Sequence, residues 1–179
     1  ERIVDVLEEE ARFGAVYAEV RFGRETVLRP DFISLFREAE AQVRNEHPDF
    51  FAEPLATILL QDDSERVDKL LRGCLRAASQ GLAGVDLIPI PYDQEADWSD
   101  AYRWTEKLSD AGLGVTIHAA EFSVANLEAA LKAPGVKRLG HAVFAASDQK
   151  LLDMVVASGV GLEVCLSSNL ILGAVESLD

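Results

Sequence analysis

Short apolar runs rich in β-branched residues alternate along this chain with longer stretches whose apolar positions recur at helical spacing. That alternation is the strongest constraint on the fold. The runs fall at 16–22, 54–61, 83–88, 114–118, 136–141 and 160–165. Helical stretches occupy 30–45, 63–80, 98–111, 124–132 and 147–158, and an amphipathic helix precedes them over 1–10. Pro30 suits a first helical turn, Asp63 or Ser64 caps the helix that follows, Ser147 caps a later one, and Gly81 and Gly112 act as stops. A strand followed by a helix, repeated along the chain, calls for parallel pairing through right-handed crossovers. No Gly-, Pro- or Ser-rich linker divides the array, and side chains do not match from unit to unit. Residues 1–179 therefore read as a single domain and not a sequence repeat.

Two α/β architectures build such an array. A doubly wound dinucleotide fold wants G-x-G-x-x-G after its first strand, but Gly23 is followed by Arg24, Glu25 and Thr26. In a TIM-type (β/α)₈ barrel, by contrast, polar residues from several strands converge at the carboxyl ends. Asp86, His118, His141 and Ser167-Ser168-Asn169 all lie at such ends, so the barrel is favoured. Six strands are legible, which makes a partial barrel.

Charge narrows the partners. Lys and Arg number 17 against 31 Asp and Glu, a net charge of −14. Such a surface repels phosphate backbones and anionic bilayers, and no apolar run is long enough to span a membrane. The implied partner is a small molecule, with no nucleic acid and no membrane. Cys74 and Cys165 lie far apart and outside any C-x-x-C pair, which fits reduced thiols and a cytoplasmic location.

His118-Ala119-Ala120-Glu121 is the most informative stretch. It lets an imidazole and a carboxyl enter the same mouth, one as a metal ligand and the other as a proton shuttle. Glu121 reads alternatively as a first-turn acid favoured by a helix dipole. His141 follows Gly140 at the next strand end, and Gly140 permits close backbone approach or unusual dihedrals. His47, beside Pro48, reads as a surface residue. Asn169 is read as supporting a loop through side-chain to backbone bonds, and Cys165 as a small buried apolar residue. Glu19, Arg21, Asp86 and Glu163 are charges inside strands, where ion pairing is the economical reading. Asp86, nearer the mouth, is placed to orient a histidine or a loop. No strand ends in a lysine suited to Schiff-base chemistry, and a G-x-S-x-G elbow is absent.

Taken together, His118-Ala119-Ala120-Glu121, Gly140-His141, Leu162-Glu163-Val164-Cys165, Ser167-Ser168-Asn169 and Gly173-Ala174-Val175 resemble the adenosine deaminase family. Residues 17–22 resemble its second strand and 84–87 its fourth, so the chain resembles strands two to seven of that barrel. The resemblance implies a zinc-dependent (β/α)₈ hydrolase that deaminates adenosine or a related aminopurine. His118 would be a zinc ligand, Glu121 would protonate the purine ring nitrogen, and His141 would hold the attacking water and help deprotonate it. Asp86 and Pro89 would fall in the substrate-binding region, although Pro89 has no N–H where the family usually offers a glycine amide. The family's His-x-His pair and paired aspartates do not occur here. The remaining ligands of the single zinc ion are thus expected outside this stretch, and the 179 residues alone are expected to be inactive. Two alternatives stay open: another metal-dependent barrel hydrolase acting on an amino-heterocycle, and a non-catalytic barrel remnant used for binding or assembly. Two open parallel edges also lead to an expected homo-oligomer, or to missing strands supplied by another segment.

Overall fold

The computed structural model describes residues 2–178. Strands β1 (Tyr17–Phe22), β2 (Phe51–Leu59), β3 (Gly84–Ile88), β4 (Gly114–Ala119), β5 (Val136–His141) and β6 (Gly161–Glu163) alternate with helices. Those helices are α1 (Arg2–Arg12), α2 (Phe32–Arg44), α3 (Ser64–Ala78), α4 (Ala101–Asp110), α5 (Leu127–Lys132), α6 (Gln149–Ser158) and α7 (Leu166–Ile171). All six strands pair in parallel, in the order β1-β2-β3-β4-β5-β6, and form a half-barrel. The expected α/β class and partial barrel are both present.

Local chemistry explains most boundaries. Asp63 caps α3 by accepting from the Arg66 N–H at 2.9 Å. The helix then buries Val67, Leu70, Leu71, Cys74 and Ala77, one stripe at helical spacing that packs on the sheet. α6 begins one residue later than expected. Val143–Ser147 winds into a 3-10 turn in which the Ser147 hydroxyl donates to the Phe144 carbonyl, so Asp148 becomes the cap. β2 starts at Phe51 instead of 54, because Pro54 tolerates a place inside the strand. It lacks an N–H, but its carbonyl still accepts from Ala83 N–H at 3.1 Å. β6 ends at Glu163, short of the expected 165, and residues 166–171, which hold the polar Ser167-Ser168-Asn169 cluster, close into α7.

Strand alternation sorts the side chains. Val85, Leu87, Val115, Ile117 and Leu139 are buried among the apolar side chains of the core. Asp86, His118, Arg138 and Glu163 take the alternate positions; ion pairs link Asp86 and Glu163 to Arg21 and Arg138 to Glu19 on β1, while His118 faces Asp86. At Gly84 the strands approach so closely that a Cβ would sit 2.6 Å from the Gly114 carbonyl oxygen. The sheet curls far enough for Arg21 on β1 to pair with Glu163 on β6, the first and last strands in the order. Both edges expose apolar side chains: Val16 and Tyr17 at one, Leu162 and Val164 at the other. Among the described residues, no helix is long and apolar enough to cross a membrane.

Candidate active site

His118 occupies the penultimate position of β4 and His141 the last of β5, so neighbouring parallel strands deliver both rings to one end of the sheet. The ring centroids lie 5.0 Å apart, inclined at 60°. Gly140 pairs in register with His118, and a Cβ there would stand 3.4 Å from His118 Nδ1, an ordinary contact. Its backbone needs no unusual dihedral; the left-handed residues are instead Ala120 (φ 53), His141 (φ 68) and Ala142 (φ 57). Left-handed backbone at side-chain-bearing residues costs on the order of 1–2 kcal/mol each. Two hydrogen bonds between the loops hold it in place, Ala142 N–H to the Ala119 carbonyl at 3.0 Å and Phe144 N–H to the Ala120 carbonyl at 2.8 Å.

His118 is oriented from beneath. Its Nδ1 lies 2.9 Å from Asp86 Oδ1, and Asp86 Oδ2 accepts from Arg21 Nε at 2.6 Å. Arg21 in turn pairs with Glu163, which Arg138 Nε approaches at 3.1 Å, while Arg138 also reaches Glu19 at 2.5 Å. The strand charges therefore pair across strands, as expected. Glu19 and Arg21, two apart on one strand, nevertheless choose different partners. With Nδ1 committed to a carboxylate, the ring of His118 keeps Nε2 for another bond, the arrangement of a metal-ligating histidine.

Glu121 is 4% exposed, and its Oε2 lies 3.5 Å from His141 Nε2. The left-handed turn at Ala120 swings it back towards the strand ends. Burial holds the His141 pKa below its ordinary value, against the opposing pull of the Glu121 charge. The three expected residues His118, Glu121 and His141 thus come together, and all line a cleft of about 570 Å³. Tyr92 and Phe122 line it as well, with their rings 5.5 Å apart. Burial, with the charges of Glu121 and Asp86, pushes the Tyr92 hydroxyl up to about 12, so it stays a hydrogen-bond donor at neutral pH.

Other residues stand differently from the sequence reading. Asp86, expected near the substrate, is 0% exposed, and both its oxygens are bonded within the protein. Pro89 is buried and does not line the cleft; Tyr92, three residues on, does. Among the described residues, Asn169 makes no loop-supporting side-chain bond to backbone. Its Nδ2 instead lies 3.0 Å from His141 Nδ1. Its position after the last strand was the available signal, because a barrel gathers such ends on one face. Cys165 also lines the cleft, and burial raises its thiol pKa, which disfavours a nucleophilic role. His47 lies half-buried between α2 and β2 and does not line the cleft.

A family profile for adenosine deaminase matches residues 2–179. The chain belongs to the adenosine deaminase family. A curated adenosine deaminase from Edwardsiella ictaluri is 34% identical over 116 residues, which is 64% of this chain and 32% of that protein. An adenine deaminase from Arthrobacter aurescens shares the fold with TM-score 0.78 at 22% identity, covering 98% of this chain and 54% of that one. An amidohydrolase from Burkholderia ambifaria, solved with bound Zn, superposes with TM-score 0.77 at 16% identity, covering 93% and 47%. This adenosine deaminase-family chain therefore spans about half the length of the solved structures it matches.

Proposed function

We propose that this chain carries the central catalytic residues of a zinc-dependent hydrolytic deaminase acting on adenosine or a related aminopurine. The observation that carries the reading is the convergence of Glu121, His141 and His118 on one cleft, in a chain of this family. The curated relative supports adenosine as substrate, and the Arthrobacter neighbour supports adenine as an alternative.

His118, oriented through Asp86, fits one position of a zinc shell. Among the described residues no group of three His, Cys, Asp or Glu side chains could hold an ion, so the other ligands are assigned to polypeptide outside these residues. When bound, zinc would lower the pKa of a water from ~15.7 towards ~7 and so supply a nucleophile at neutral pH. Asp86 serves as the residue that orients His118. Glu121, buried at the base of the cleft, delivers a proton to a ring nitrogen as the amine-bearing carbon becomes tetrahedral. His141 holds the attacking oxygen. The Tyr92 hydroxyl offers the ring edge the donor that Pro89 lacks. The exposed strand edges pair with further strands, either from the same polypeptide or from a second copy of the chain.

The test is ammonia release and the ultraviolet change of aminopurine turnover, measured on the full polypeptide carrying these residues, with zinc present. Adenosine or adenine should be consumed, and Glu121→Gln should lower kcat by about 10²–10⁴-fold. Undiminished turnover in Glu121→Gln, or no turnover of any aminopurine, would refute the proposal. The 179-residue chain alone should release no ammonia.

A further inference from the structure

His141 meets a polar side chain at each ring nitrogen. Its Nε2 lies 3.5 Å from a carboxylate oxygen of Glu121, and its Nδ1 lies 3.0 Å from the Asn169 amide nitrogen. Asn169 is 3% exposed, and its backbone leaves the side chain little freedom. Its N–H donates to the Cys165 carbonyl at 2.8 Å, and its own carbonyl accepts from Ala174 N–H at 2.8 Å, past the left-handed turn at Gly173. A neutral imidazole carries one N–H and one lone pair. Facing an amide N–H, Nδ1 is better as the acceptor; facing Glu121 while that group is ionised, Nε2 is better as the donor. The two neighbours therefore ask for the same tautomer.

We infer that Asn169 is a positioning residue that holds His141 in its Nε2–H tautomer. The inference deepens the proposed function and rests on it for its catalytic meaning. A His141 locked this way presents an N–H to the cleft and no lone pair. It therefore binds the attacking oxygen as a hydrogen-bond donor and does not take that oxygen's proton through Nε2. An aspartate at 169 would only accept, and would draw the proton to Nδ1. An alanine would leave the ring free to sample both forms.

The chain contains three histidines, so a long-range proton–nitrogen correlation spectrum of the uniformly ¹⁵N-labelled chain resolves each ring. In mildly alkaline buffer, where imidazoles are neutral, His141 should show a protonated Nε2 and a bare Nδ1. His118, whose Nδ1 faces Asp86, should show the reverse. In Asn169→Asp the His141 pattern should shift to a protonated Nδ1, and in Asn169→Ala it should average between the two forms. An unchanged His118 pattern certifies that each variant is folded. A protonated Nδ1 on His141 in the unsubstituted chain would overturn the inference, with no variant needed. So would a His141 pattern indifferent to both substitutions. The readout involves no turnover, so a failed deaminase assay would remove the proposed function and leave this result intact.

Discussion

Asp86→Asn tests how His118 is held. The substitution is nearly isosteric, so packing is conserved and the change falls on hydrogen bonding. The carboxylate accepts twice, from Arg21 Nε at 2.6 Å and from His118 Nδ1 at 2.9 Å. An amide has one oxygen. With its oxygen turned to the guanidinium, its NH₂ faces His118 Nδ1, and the ring keeps a bond there only by moving its proton to Nε2. Both bonds then survive without the carboxylate's charge, each weakened by about 1 kcal/mol. The 3–5 kcal/mol typical of breaking a buried ion pair is not reached. The reason is that Arg21 is 34% exposed and keeps Glu163. The expected loss is about 2 kcal/mol, or a Tm lower by roughly 4–8 °C for a domain of this size. Circular dichroism melts at neutral pH measure it. The same substitution in an Arg21→Met background should cost clearly less, because the guanidinium no longer needs an acceptor. A Tm within about 2 °C of the unsubstituted chain, or an undiminished cost without Arg21, would refute the argument.

Gly84→Ala should destabilise by about 1–3 kcal/mol, since its Cβ would stand 2.6 Å from the Gly114 carbonyl oxygen; the denaturant midpoint reports this. Cys74 is 0% exposed, and burial pushes its thiol up to about 12, so in the native chain a colourimetric disulfide reagent should reach Cys165 first and Cys74 only on unfolding. The His141 pKa is lowered from 6.5, chiefly by burial, so the unfolded chain binds more protons there just below that pH. Stability should therefore fall as the pH drops through and below 6.5, and His141→Gln should flatten that part of the profile measured by urea unfolding. A variant profile as steep as the original would count against the buried neutral ring.

Much of the architecture was legible because it is local. The spacing of Val67, Leu70, Leu71 and Cys74 encodes α3, and Asp63 announces its start. His118-Ala119-Ala120-Glu121 and Gly140-His141 stood out as pairs of chemical groups at strand ends, and both reach the cleft. Boundaries slipped where competing local forms won. A 3-10 turn moved the start of α6, and Pro54 gave a turn signal inside β2. The substrate-side readings of Asp86 and Pro89 illustrate a different limit, since a residue's distance along the chain does not say whether its side chain faces cleft or core.

What the sequence determined by itself was the βα rhythm, the α/β class and the identity of the chemical groups at the strand ends, because hydrophobic period and turn chemistry act between near neighbours. The tertiary structure alone decided the pairings. Arg21 bypasses Glu19, two residues away, for Asp86 and for Glu163, 142 residues away. Asn169 leaves the local backbone for a ring 28 residues earlier. Such choices depend on strand register and on how far the sheet curls, which arise only once the whole sheet has assembled.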